Sequence, residues 1–306
     1  MTPDSEDDVF QLDRRDISSS FDRAAGSYDA AAILQSQVRA ELLERVAFFK
    51  LTPDVVVDLG AGTGHATREL KQQYKQALVA ALDIAPGMLR EAKSQQRLFR
   101  RFERVCADTL KLPLKDASVD IVFSNLMLQW CEPLDAAFAE VRRVLKPDGL
   151  FAFTTFGPDT LRELRAAWAQ VDTHNHVNRF LDMHDVGDAL MRAGFSEPVL
   201  DVEYTTLTYP DALGLMRDLK AIGAHNVTSG RARGLTGRHA LRRMQSAYEA
   251  FREDGRDGAA GKLPATYEVI YGVTWGARGR PGAAGIGDDN EVRIPINAIR
   301  GRGRPQ

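Results

Sequence analysis

The stretch Val55–Gly64, VVVDLGAGTG, decides the fold. Val55 to Leu59 is an apolar, β-branched run broken only by Asp58, and it reads as a strand buried on both faces. Gly60, Gly62 and Gly64 follow. An acid and then alternate glycines mark a sharp turn from strand to helix, where a ligand comes close to the backbone and a side chain would hold it away. The rival fingerprint for dinucleotides, G-x-G-x-x-G, needs its third glycine at position 65, which here is His65.

Upstream, Leu34, Val38, Leu42, Val46 and Phe49 recur at helical spacing between Ala31 and Lys50, and Thr52-Pro53 ends that helix. Downstream, strands are predicted near 77–83, 102–106, 119–124 and 149–156, with helices near 65–74, 87–97 and 133–145 between them. Such alternation predicts a Rossmann-like, doubly wound, mostly parallel α/β sheet with helices on both faces. After Phe156 the order changes. Helices are predicted near 159–171 and 184–193, then a strand near 199–207 and a last strand at Thr266–Trp275. Helical patterns at 210–222 and 236–252 fill the gap, which is too long for a hairpin and reads as a helical lid or substrate insertion over 208–263. The domain so defined spans 17–275. Residues 1–16 are acidic and expected to be disordered or loosely docked. Residues 276–306, rich in Gly, Pro and Arg, lack the apolar content for a core.

Composition narrows the class. With 44% hydrophobic and 27% charged residues the chain is ordinary for a soluble globular protein, and a net charge of −2 argues against a dedicated nucleic-acid binder. No apolar run approaches the ~18 residues that span a bilayer. The N-terminus has neither the basic nor the apolar region of an export signal. Cys106 and Cys131 make no disulfide framework and no thiolate metal cage, so a reducing cytoplasm is the expected location.

Acids recur at successive strand ends. Asp83 closes the second strand (ALVAALD) about 20 residues past the loop, where a carboxylate accepts hydrogen bonds from both hydroxyls of a ribose. Asp108 follows the third strand (VCAD), in position to accept from an adenine amino group. The fourth ends at Ser124-Asn125, at the switch point where such sheets bind ligands. Each Asp alone also reads as a helix cap or loop residue; their joint appearance argues for a nucleoside site. The set Asp58, Gly60, Gly62, Gly64, Asp83, Asp108 and Asn125 resembles the class I S-adenosylmethionine methyltransferases, which implies that cofactor.

Further strings resemble one family, the malonyl–acyl carrier protein O-methyltransferases that begin the pimelate branch of biotin synthesis. They are FDRAAGSYD (Phe21–Asp29), SNLMLQWC (Ser124–Cys131), FTTFG (Phe153–Gly157), HVNRFLD (His176–Asp182) and MRDLKAIGAHN (Met216–Asn226). The resemblance covers 17–275 and implies methylation of the free carboxylate of a malonyl thioester on acyl carrier protein, or on coenzyme A. A malonyl carboxyl has a pKa near 4 and is ionised at neutral pH, so the nucleophile needs no base. The sequence accordingly offers no Ser-His-Asp set and no metal-ligand helix. His174, His176 and His184 read as solvated or locally bonded histidines rather than ligands.

The resemblance places the N-terminal segment over the methionine end of the cofactor and makes Tyr28 the candidate for positioning the reacting groups, with its ring face toward the sulfonium. The plain alternative is an aromatic packing the first helix. Trp130 reads as an acyl-channel wall or as core. Between Asp211 and Arg243 seven basic residues face two acids. Arg217, Arg231 and Arg233 are the candidate contacts for an acidic carrier protein, and Arg179 or Lys220 the candidate for the malonyl carboxylate; a solvated helix face is the alternative. Two other functions fit the same motifs: an O-methyltransferase for a free small carboxylic acid or a quinone precursor, and a non-catalytic regulator that binds S-adenosylmethionine. No sequence feature fixes the oligomeric state.

Overall fold

A computed structural model describes residues 12–98, 100–224, 237–254 and 261–277. Its centre is the predicted parallel sheet. Strand β1 (Val55–Leu59) pairs on one side with β2 (Leu78–Asp83), which pairs with β3 (Glu103–Cys106). On its other side β1 meets β4 (Val119–Asn125), and β4 pairs with β5 (Leu145–Phe156), all in parallel. The last strand, β7 (Leu263–Trp275), inserts antiparallel between β5 and β6 (Ser196–Tyr209), so the order is β3-β2-β1-β4-β5-β7-β6. The chain leaves β1 toward β2 and later returns on the opposite side as β4. That reversal opens a crevice beyond the strand ends.

Alternation along the strands builds two cores. Val56, Ile121, Phe123, Leu150 and Ala152 point to one face, where they meet Leu34, Val38 and Leu42 of α3 (Ile33–Phe48) and Leu70 of α4 (His65–Gln73). Val57, Leu59, Val122, Phe151 and Phe153 point to the other, against Phe138 and Val141 of α6 (Leu134–Val144) and Leu190 of α8 (Met183–Arg192). The remaining crossover helix, α5 (Pro86–Ser94), follows β2.

Boundaries differ from the sequence reading in a few places. Helix α1 (Arg14–Ala24) starts inside the segment 1–16, because the Asp13 side chain accepts from the amides of Arg15 and Asp16 and caps it. β5 starts at Leu145, which pairs with Val119 before the chain turns through Asp148 at φ 61°. Helix α7 (Arg162–Ala169) begins later than 159, since Leu161 sits in the left-handed region at φ 57°. Between β6 and β7 lie α9 (Ala212–Ala221) and α10 (Arg238–Tyr248). α10 packs on α7, and α9 packs on the short helix α2 (Tyr28–Ala31). Residues 1–11 and 278–306, Arg231 and Arg233 lie outside the described residues. Among the described residues no helix is long and apolar enough to cross a membrane, and no cluster of His, Cys, Asp and Glu is arranged to hold a metal.

Candidate active site

The three glycines of the β1–α4 turn all have positive φ, but their surroundings differ. A Cβ on Gly60 would lie 2.2 Å from Met127 Cγ, and one on Gly64 would lie 2.8 Å from Ala92 Cβ. Those two are fixed by packing. A Cβ on Gly62 would meet nothing within 4 Å, so this residue alone leaves room for a ligand. The Gly62 amide donates to Asp83 Oδ2 at 2.8 Å, while Asp83 Oδ1 accepts from Ala85 N at 2.8 Å. The carboxylate expected to face a ribose therefore also pins the loop to the end of β2, and it keeps acceptor capacity for a ligand. Burial raises its pKa above the usual carboxylate value, against the three backbone amides that lower it.

The N-terminal segment is built onto this frame. Asp22 accepts from the Gly87 amide, Ser18 donates to Ile84 O at 3.0 Å, and Arg14 pairs with Asp108 Oδ2 at 2.6 Å. These bonds seat α1 over the β2–α5 turn. Asp29 then clamps α2 to the glycine loop through Thr63 Oγ1 at 2.6 Å, Gln95 Nε2 at 3.0 Å and His65 Nε2 at 3.1 Å. Burial opposes its charge, yet those partners outweigh burial and hold its pKa below the usual value.

Three hollows meet here. A cleft of about 760 Å³, partly open to solvent, runs under α1 and is lined by Ile17, Asp83, Ile84, Met88, Asp108 and Leu110 among others. A second, of about 570 Å³, is more polar and is bordered by Gln35, Arg39, Asp58 and Thr63. The two share Tyr28, Gly60, Gly62 and Asn125 and so form one trough. Arg39 is largely buried at 15% side-chain exposure; its Nε lies 3.3 Å from Glu69 without hydrogen-bond geometry. Asp58 is buried and accepts from Thr67 Oγ1. Burial, joined by the charge of Asp83, pushes its pKa up to about 7 against Thr67 and Arg39.

The third hollow, about 2620 Å³ with its open mouth included, lies between the sheet ends, the N-terminal segment and α9 and is partly open to solvent. Its walls are largely apolar: Phe21, Trp130, Phe156, Leu164, Trp168 and Met216 contribute. Arg23, Arg217 and Lys220 also line it, and among the described residues no Asp or Glu does. The trough carries Asp58, Asp83 and Asp108 instead. With Asp29 and Glu132 also lining it against Arg14 and Arg39, the trough has an acidic excess, while the chamber's described charged side chains are all basic. Ser27 Oγ donates to Ala221 O at 2.9 Å, tying α9 to the N-terminal segment across the chamber.

Tyr28 is the residue common to all three hollows. Burial and the charges of Asp83 and Asp29 raise its pKa, so its hydroxyl stays protonated at neutral pH, a hydrogen-bond donor and no base. Trp130 lies between cleft and chamber, braced edge-on by Phe21 at 5.3 Å. Asn125 borders the trough, but its Nδ2 donates to Gln35 O at 3.1 Å and its Oδ1 accepts from Thr154 at 3.0 Å, so it braces α3 against β5. Arg179 stands apart: it borders a separate groove with Leu12, Pro133 and Asp185, and not the chamber. His176 bonds Asp172 at 2.8 Å and stacks on Trp168 at 3.8 Å.

The sequence reading missed Arg39, Arg14 and Asp29. Asp29 stood in the quoted FDRAAGSYD string beside Tyr28. Gln35 and Arg39, four residues apart on a helix with apolar neighbours, were a legible polar pair on one face.

Comparison with known proteins agrees with this fold. Residues 57–153 match the family described as "Methyltransferase domain". The chain is 56% identical over 279 residues to the malonyl-(acyl-carrier protein) O-methyltransferase of Methylovorus sp. (strain MP688), covering 89% of this chain and 92% of that one. It is 51% identical over 272 residues to the protein of the same name from Gallionella capsiferriformans (strain ES-2), covering 87% and 92%. Among solved structures, the YcgJ protein of Bacillus subtilis superposes with a TM-score of 0.53 at 16% identity over 74% of this chain and 94% of that one, a likeness of fold.

Proposed function

The chain belongs to the malonyl-(acyl-carrier protein) O-methyltransferase family, and from that premise we propose that it methylates the free carboxylate of a malonyl thioester carried on acyl carrier protein, the step that the resemblance ties to pimelate and biotin synthesis. The observation that carries this reading is the segregation of charge. A chamber lined by Arg23, Arg217 and Lys220 and by no described carboxylate suits an anionic acceptor, and it opens at Tyr28 onto an acidic trough.

The trough fits S-adenosylmethionine. Asp83 suits the ribose hydroxyls and the apolar cleft beside Asp108 suits the adenine. Gly62 leaves room for the ligand backbone, and Arg39 and Asp58 suit the charged ends of the methionine portion. When bound, the cofactor supplies a methyl group on a cationic sulfonium. The protein's own task is then alignment and dryness. Lys220 or Arg217 holds the malonyl carboxylate, the Tyr28 hydroxyl orients it at the junction, and α1 with α9 keeps water out. Positioning of this kind contributes about 7–11 kcal/mol. Excluding water also helps a reaction that brings opposite charges together and leaves neutral products.

A hydroxyl acceptor is the second reading, because His176, backed by Asp172, lines the chamber and resembles a base. The two separate by pH. With an ionised acceptor, the single-turnover methyl-transfer rate at saturating cofactor should stay flat from about pH 6 to 8.5. A rise with one apparent pKa near 7 would indicate proton abstraction. Cofactor affinity should behave differently. Unliganded protein holds a proton on Asp58 below about pH 7, and a cationic ligand favours the ionised form. Affinity should therefore weaken as pH falls from 7.5 to 6, by up to about tenfold for one proton. Calorimetry on wild type and Asp58→Asn, with the slope lost in the variant, checks this.

The partner is tested by charge. Arg231 and Arg233 lie outside the described residues, and their proposed contact with an acidic carrier protein rests on the excess of bases between Asp211 and Arg243. Changing both to Glu should lower kcat/KM for malonyl–carrier protein about tenfold at low salt and less at high salt, leaving a short malonyl thioester nearly unaffected. Lys220→Ala should impair both substrates alike. Equal loss on both from the paired reversal would put Arg231 and Arg233 in the pocket instead.

A further inference from the structure

The HVNRF string, His176–Phe180, has no part in the malonyl reading so far, yet all of it but Arg179 lines the chamber. It belongs to the irregular segment between α7 and α8, where His176, Val177 and Phe180 around Asn178 are held. His176 is sandwiched between the Trp168 ring, nearly parallel at 8°, and its bond to Asp172. Asp172 also accepts from the His174 amide at 2.9 Å. Val177 is buried in the core, and Phe180 packs edge-on against Phe156 at 5.6 Å. Within this frame Asn178 is only 8% exposed, lines the chamber, and its buried Oδ1 has no hydrogen-bond donor among the described residues. A buried carboxamide oxygen without a donor is rare in a native fold, and for a residue of the chamber wall the simplest missing partner is a donor that the substrate brings.

The chemistry of the substrate says which part that is. A malonyl carboxylate and a thioester carbonyl offer acceptors only. The pantetheine-type arm that carries an acyl thioester contains secondary amides, whose N–H groups donate. We propose that Asn178 is a specificity-determining residue whose Oδ1 accepts a hydrogen bond from an amide N–H of the thioester arm, and that it thereby reads the carrier arm rather than the acyl group. This rests on the malonyl-thioester reading above. It separates this chamber from one built for a free dicarboxylate, which has no such donor to give.

The test compares three short substrates that share the reacting group: the S-ethyl malonyl thioester with no amide, the malonyl thioester of N-acetylcysteamine with one, and that of pantetheine with two. Asn178→Ala should lower kcat/KM about tenfold for the amide-bearing substrates, mainly through KM, and less than twofold for the S-ethyl thioester. Asn178→Asp keeps the acceptor. Its added charge bears on the common carboxylate of all three, so the preference for amide substrates over S-ethyl should match wild type. S-adenosylmethionine affinity, measured by calorimetry, should be unchanged in both variants. A loss on N-acetylcysteamine locates the bond at the first amide, and a loss confined to pantetheine locates it at the second; either supports the inference. Equal loss on all three in Asn178→Ala, or no loss on any, would overturn it. If wild type turns over none of the thioesters while methylating a free acid or a hydroxyl compound, the parent reading fails first and the inference falls with it.

Discussion

Gly62→Val is expected to fold and to lose S-adenosylmethionine binding by about a hundredfold or more. A side chain at φ 54° costs about 1–2 kcal/mol in the left-handed region, and among the described residues no atom beyond its two chain neighbours lies within 4 Å of where its Cβ would sit. That strain is small against a typical domain stability of about 5–15 kcal/mol. The branched side chain would instead occupy the waist where cleft and polar pocket join, so the ligand rather than the fold meets the obstruction. Gly60→Val is the contrast, because its Cβ would collide with Met127 at 2.2 Å and the loss should appear as reduced Tm before any effect on binding. Calorimetric titration of a folded Gly62→Val protein with unchanged affinity would show that the ligand does not lie against this loop.

Asp83→Ala should cost binding on a similar scale, by a different route. The substitution removes the acceptor for the ribose hydroxyls and also the bonds from the Gly62 and Ala85 amides, each 2.8 Å long. Charge-assisted bonds contribute about 1.5–3 kcal/mol each, and 1.4 kcal/mol is tenfold in affinity, so a loss of about a hundredfold or more follows. Asp83→Asn keeps one acceptor oxygen and should fall between. Wild type should show no measurable binding of NAD, whose fingerprint would need glycine where His65 stands. A folded Asp83→Ala protein with wild-type affinity would defeat the assignment.

Why these two residues were legible in the sequence, while others were not, has a physical basis. A buried parallel strand must be almost wholly apolar, so Asp58 and Asp83 stand out at strand ends, and the turn after β1 tolerates little but glycine. The alternation of strand and helix predicted the layered sheet for the same reason. Residues of the roof carry no such signature. Arg39 is one of 40 Lys and Arg residues; its spacing sets it on one helix face with Gln35, but only the fold reveals that this face borders the glycine loop. Arg14 sits in a segment whose acidic composition suggested no structure, yet it reaches Asp108 across 94 positions of sequence. The reading of three equivalent glycines was also too uniform, since what crowds Gly60 and Gly64 comes from Met127 and Ala92, far along the chain. The segregation of charge between trough and chamber is a property of assembled surfaces, and no local pattern contains it.

The central claim is that the acceptor is the carboxylate of a carrier-borne malonyl group. It is tested most directly by offering malonyl–carrier protein, malonyl–coenzyme A and free dicarboxylates side by side with methyl-labelled S-adenosylmethionine, and following the label by mass spectrometry. The account predicts one label per malonyl group on the carrier protein, lost on mild alkaline hydrolysis as a methyl ester is, with kcat/KM highest for the carrier-borne substrate. Label appearing on a free dicarboxylate or a hydroxyl compound, with malonyl–carrier protein left unmethylated, would contradict it.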